Sequence, residues 1–239
     1  MKRKESGFTL VEIAIVLVII GLLLGGILKG QELINSARVR NLADTNSGIQ
    51  AAYYGFSDRY RAVPGDINST NAQNAIGATP AIAVGGNENG RVDAADYDEA
   101  SALWVHLTNA GFLQGNYAGG AANAAAYAVV GMAPQNPFQG FMILGRSRDY
   151  STTAGAPAAG NPLRLGLILG DNVPVDIARE LDVKIDDQLP LTGDLRFTGT
   201  VVQTYVGVSE ATTLCMTAAN TNLWDIQGDQ QNCNLMYIY

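Results

Sequence analysis

Residues 8–28 form an almost wholly apolar segment that carries one charge, Glu12. About 20 consecutive apolar residues suffice for a helix to cross a bilayer. A helix is favoured there because it satisfies its own backbone hydrogen bonds, as hydrocarbon requires. A carboxylate inside such a helix costs about 2.5–3.5 kcal/mol on insertion scales, so Glu12 calls for a partner or a function.

What precedes the segment matters as much. Residues 1–7 are a short charged leader with Lys2, Arg3, Lys4 and Glu5. A secretory signal peptide places its small-residue cleavage site after a short apolar region. Here the small residue, Gly7, stands before the apolar run, and no A-x-A-like site follows it. Cleavage after Gly7 removes the leader, keeps the apolar helix and creates a positive amine at Phe8. Phe8 and Glu12 are four residues apart, so the Glu12 carboxylate can meet that amine or the amine of a neighbouring subunit. In low dielectric this pairing offsets the cost of burying the charge.

The basic leader followed by Gly7-Phe8-Thr9-Leu10-Val11-Glu12 resembles the class III signal of type IV pilins, which type II secretion pseudopilins share. The likeness spans residues 2 to about 20. It implies cleavage after Gly7 by a prepilin peptidase in the membrane and methylation of the Phe8 amine. It also implies a filament whose core is packed N-terminal helices, with Glu12 positioning each incoming subunit against a Phe8 amine. The implied partners are identical or homologous pilin subunits, the peptidase/methylase and an assembly machinery in the inner membrane driven by a cytoplasmic ATPase. The implied location is the inner membrane, then a bacterial cell-surface filament. The alternative is an ordinary single-pass anchor.

The chain has 239 residues, enough for a long helix and one further domain. Loss of the leader moves the formal charge from −7 to −9, which argues against general nucleic-acid binding. The two cysteines, Cys215 and Cys233, read as a disulfide if the domain is exported. The closed loop would contribute about 3 kcal/mol in the chain-entropy model, and the resemblance supports a C-terminal loop closed in this way.

The expected fold is α+β and pilin-like: a long N-terminal helix, its first half membrane-spanning, packed on a C-terminal antiparallel-sheet domain. Residues 8–60 are read as the helix, with 8–28 as its transmembrane or filament-core part, and 61–239 as the head domain. Leu42, Ile49, Tyr53, Phe56 and Tyr60 recur at helical spacing, and Pro64-Gly65 ends the pattern. Residues 65–92 read as loop. Asp96 and Glu99 make a capping-box-like start for a helix bearing Ala100, Leu103, Trp104, Leu107 and Ala110, with Gly111 as the stop. Residues 118–135 read as Ala/Gly-rich loop or weak strand. A short helix is expected from Val173-Pro174 to about Leu181, and strands over 141–144, 163–169, 195–206 and 235–239.

Two stretches have the chemistry of a calcium site, which needs several oxygen ligands. Asn87, Asn89, Asp93 and Asp96 follow the outline of an EF-hand-like loop, although its first position holds Gly85 and its last an Asp rather than a Glu. The competing reading is an Asn-Gly turn leading into a helix. Asp182, Asp186 and Asp187 lie in a stretch resembling the LD-x-K-x-DD-G-x-P-x-x-G run of many pilin-like proteins, with Gln188 where Gly is commoner. The competing reading there is a solvated acidic turn. No further cofactor is expected.

A catalytic role has little support. His106 is the only histidine and lies between Val105 and Leu107, which reads as structural. Gly207-Val208-Ser209-Glu210-Ala211 lacks the second Gly of a nucleophile elbow. The leading reading is therefore a non-enzymatic filament subunit of a type IV pilus. A type II secretion pseudopilin is the alternative, and a membrane-anchored enzyme the most distant. An adhesive or DNA-uptake tip subunit, with Arg146, Arg148 and Arg164 as a basic spot, is a variant of the first.

Overall fold

The computed structural model describes residues 9–152, 160–198, 215–217 and 222–239. These residues form an α+β chain with a long N-terminal helix, four shorter helices and one antiparallel sheet of four strands. Helix α1 is Leu10–Tyr60. Its expected first residue, Phe8, lies outside the described residues. Its end falls where Arg61 takes a left-handed φ of 53°, three residues before Pro64, which lacks the N–H a helix needs.

The chain divides into two compact units, Met1–Arg40 and Asn41–Tyr239. In the first, residues 10–28 of α1 are apolar on every side. In the second, residues 41–60 of α1 bury Leu42, Ile49, Ala52, Tyr53 and Phe56, while Tyr60 is half-buried with its ring 4.7 Å from that of Phe56. Each fully buried side chain of this size contributes about 1.5–3 kcal/mol relative to exposure.

Residues 65–92 are not all loop. Helix α2, Ser69–Ile76, starts because the Asn68 side chain accepts a hydrogen bond from Asn71 N, and it ends at Gly77 with φ 69°. It is only two turns long and buries only Ala72, so no extended apolar stripe marks it in the sequence. Helix α3, Tyr97–Asn109, buries Ala100, Leu103, Trp104 and Leu107, whereas Ala110 at its C-cap is half-buried. Asp96 caps it through Glu99 N at 3.3 Å, but Glu99 does not reciprocate: its Oε1 accepts from Asn87 N at 3.1 Å. A single turn, α4 (Ala124–Tyr127), interrupts the Ala/Gly-rich stretch. It is capped by Asn123 and anchored by Tyr127, whose hydroxyl accepts from Trp104 Nε1 and donates to the Met142 carbonyl, both at 2.8 Å.

The strands are β1 (Ile143–Ser147), β2 (Arg164–Ile168), β3 (Leu195–Phe197) and β4 (Leu235–Ile238), in the spatial order β1-β2-β4-β3. The last strand thus fills the gap between β2 and β3, with Leu167 and Leu195 both opposite Tyr237. Strand β1 runs three residues beyond its expected end. Gly145 permits this: a Cβ there would lie 2.7 Å from Ala94 N, and that close approach lets residues 92–94 bond to Arg146 along the sheet edge. Of the strand expected over 195–206, residues 199–206 lie outside the described residues. Helix α5 is Val175–Ile185, ending four residues later than expected, and Pro174 serves as its N-cap rather than its first helical residue. Tyr239 Oη donates to Asn46 Oδ1 at 2.6 Å, tying the end of the sheet to α1.

Candidate functional site

The first site is the start of α1. From Leu10 to Leu28 every large apolar side chain is 47–90% exposed. The helix holds a stretch of mean hydropathy 2.8, long and apolar enough to cross a membrane. Surface of this kind requires lipid or other apolar helices around it.

Glu12 has a partner within this helix. Its Oε2 accepts from Thr9 N at 2.8 Å and from Thr9 Oγ1 at 2.9 Å, while Glu12 N donates to Thr9 Oγ1 at 3.3 Å. This is a reciprocal capping box, Thr9 at the N-cap and Glu12 three residues on. It answers two needs together: the free N–H groups of the first turn find acceptors, and the carboxylate is not left bare in an apolar segment. The Thr-x-x-Glu spacing is the sequence signal of this box, and Thr9 is a partner for Glu12 besides the expected pairing with Phe8. Gly7 and Phe8 lie outside the described residues, and so does that pairing.

The second site is at the C-terminal end. Cys215 and Cys233 form a disulfide, and both are buried. The loop they close carries Trp224, whose Nε1 donates to Asp182 Oδ2 at 2.7 Å and so seats the loop on α5. Asp182 is fully buried, and burial pushes its carboxyl up to about 6. Asp186 and Asp187 follow at the end of α5. Asp186 Oδ2 accepts from Asp194 N and Leu195 N, and Asp187 accepts from Leu189 N and Thr192 Oγ1. Gln188 adopts φ 69°, so the turn keeps the left-handed geometry for which Gly is commoner. The three carboxylates bring ligand atoms within 4.8 Å of one another.

The other calcium outline is arranged differently. Asn87 Oδ1 accepts from Asn89 N, Asn89 Oδ1 from Arg91 N, Asp93 pairs with Arg91, and Asp96 caps α3. Most of its side-chain oxygens are thus engaged by the turn and the helix start. The turn is pinned from below by Asp66, which accepts from Asn89 N and Gly90 N at 2.8 Å each. Glu99 beneath it is pushed up to about 7 by burial, with Asp96, Asp66 and Asp93 adding repulsion.

His106 is fully buried, and its Nδ1 accepts from Gly65 N at 2.9 Å. A backbone N–H can only donate, so the proton sits on Nε2 and is donated to the Val84 carbonyl at 3.0 Å. Both ring nitrogens are therefore used structurally, and burial holds the imidazole below its usual pKa. Across the sheet Arg146 faces Leu165 and Ser147 faces Arg164, so pleating sends Arg146 and Arg164 to opposite faces rather than into one basic spot. The Gly207–Ala211 stretch lies outside the described residues.

Compared with known families, the chain matches the prokaryotic N-terminal methylation motif over residues 2–28, the signal of type IV pilins and pseudopilins. Comparison with curated proteins and with solved structures returns no match.

Proposed function

We propose that this chain, which carries the N-terminal methylation signal at the tip of an uncovered apolar helix, is a structural subunit of a type IV pilus or pilus-like filament. The observation that carries the reading is the methylation motif over residues 2–28, continuous with helical surface that is exposed among the described residues. Residues 8–28 hold the precursor in the inner membrane. A prepilin peptidase cuts after Gly7, and the Phe8 amine is methylated. On assembly the helix leaves lipid for a bundle of identical helices. Lipid is as apolar as the bundle, so this transfer gains little hydrophobic free energy and is driven by the assembly machinery and by helix packing.

In this mechanism Glu12 has two partners in succession. Within the single subunit it caps its own helix through Thr9. In the filament it turns to the positive Phe8 amine of a neighbour, and that charge pair fixes the axial register. The Cys215–Cys233 loop stiffens the exported domain, where disulfides persist. A pseudopilin of a type II secretion system uses the same processing and the same helix, and only the site of recovery separates the two readings.

The test is Glu12→Ala. Processing after Gly7 is expected to continue while filament yield collapses; normal yield from the mutant contradicts the register mechanism. Gly7→Glu is expected to leave the chain uncut.

A further inference from the structure

We infer that one end of the sheet carries a binding site for an acidic saccharide, gripped by Arg164 and Arg196. The register of the strands puts the two arginines on one side. Arg196 of β3 stands opposite Met236 of β4, and Ile238, two residues on, stands opposite Gly166 of β2. Side chains alternate between faces along each strand, so Arg164, Ile238 and Arg196 share a face. Arg146 is excluded from that face, and Arg196 takes its place beside Arg164 because β4 joins β2 to β3. Both arginines line one cleft of about 410 Å³, with Tyr150, Asp194, Ile238 and Tyr239 among its walls. That volume lies within the range of small-ligand sites.

The positive charge in the cleft is fixed in place and uncancelled. Arg196 Nε donates to the Gly193 carbonyl at 2.8 Å and Nη1 to the Ser151 carbonyl at 3.2 Å, and the guanidinium lies 5.6 Å from the centre of the Tyr150 ring. Tyr150 is buried, and its hydroxyl donates to the Pro162 carbonyl at 2.9 Å. The Arg196 guanidinium is thus ordered before a ligand arrives, which lowers the entropy lost on binding. Arg164 is exposed at the rim. Neither arginine meets a carboxylate in an ion pair among the described residues. Two such guanidiniums in one cleft suit an oxyanion, which arginine grips through its fork of N–H donors. Asp194 decides which oxyanion. Its exposed carboxylate lines the same cleft and can only accept hydrogen bonds. A phosphate brings up to two negative charges and acceptor oxygens, both of which Asp194 repels. A uronate brings a single carboxylate for the arginines and hydroxyl donors for Asp194, while Ile238 offers an apolar surface to the C–H face of the sugar ring.

The experiment titrates the full chain in detergent micelles with oligogalacturonate and follows binding by calorimetry. Saturable binding that weakens with added salt is expected. The methyl-esterified oligomer, which lacks the charge, and inorganic phosphate are each expected to bind on the order of tenfold more weakly. Arg164→Gln, at an exposed position, is expected to lower the affinity for oligogalacturonate by a similar factor with an unchanged far-UV spectrum. Arg179→Gln removes a charge from a different cleft and is expected to bind as the wild type does. Asp194→Asn is expected to raise the affinity for phosphate. Absence of saturable binding to the wild-type chain overturns the proposal. So does binding that survives Arg164→Gln, that falls equally in Arg179→Gln, or that the methyl ester reproduces. Phosphate that binds the wild-type chain as tightly as the uronate overturns the assignment to a saccharide.

Discussion

The behaviour of single residues follows from which polar groups are buried and with whom. Tyr127 is the clearest case. Its buried hydroxyl is the sole link between Trp104 Nε1 and the Met142 carbonyl, so Tyr127→Phe leaves a buried donor and a buried acceptor unpaired. The expected cost is about 1–3 kcal/mol, readable as a lower midpoint in denaturant unfolding. His106 and Glu99 give stability opposite dependences on pH. The pKa of His106 is lowered from 6.5, so its contribution is complete above pH 6.5 and declines as pH falls from there through the lowered value. The pKa of Glu99 is raised from 4.5 to about 7, so its contribution is complete below pH 4.5 and is lost as pH rises towards 7. Glu99→Gln should therefore flatten the fall of Tm between pH 4.5 and 7. An unchanged slope in that window would contradict the assignment.

At the scale of elements, stability depends on close approaches and on the C-terminal clasp. Gly145→Ala pushes a Cβ against the backbone of Ala94 and should detach residues 92–94 from the edge of β1, at a cost of about 1–3 kcal/mol. Replacing Cys215 and Cys233 by Ser should cost about 3 kcal/mol, measured as the difference between oxidised and substituted chains in urea. This scale also shows what the residue pattern could reveal. Helices α1 and α3 were legible because each repeats large apolar residues over several turns and ends on a recognisable stop. Helix α2 was not, because its eight residues, with one buried alanine, are too few to build an apolar stripe over several turns, and its limits rest on the Asn68 cap and Gly77. The strands were legible as apolar runs. Their spatial order was not, because the placement of β4 between β2 and β3 is decided by long-range pairing that no local pattern encodes. At the N-terminal site Glu12 stands out by its charge, and Thr9 three residues before it gives the capping-box spacing that the first turn realises.

At the scale of the whole molecule, the two compact units have different requirements. Residues 41–239 have a core of their own, with α1, α3 and the sheet all supplying buried side chains. Residues 10–28 have none, and their exposed apolar surface requires lipid or other apolar helices around it. That division is what a subunit requires if it is to be stored in a membrane and then polymerised. The most direct measurement is intact mass and N-terminal sequencing of protein sheared from the cell surface. A chain that begins at methylated Phe8 and is recovered in filaments is expected. A processed chain confined to the membrane fraction would move the assignment to a pseudopilus, and an uncut chain beginning at Met1 would contradict the central claim.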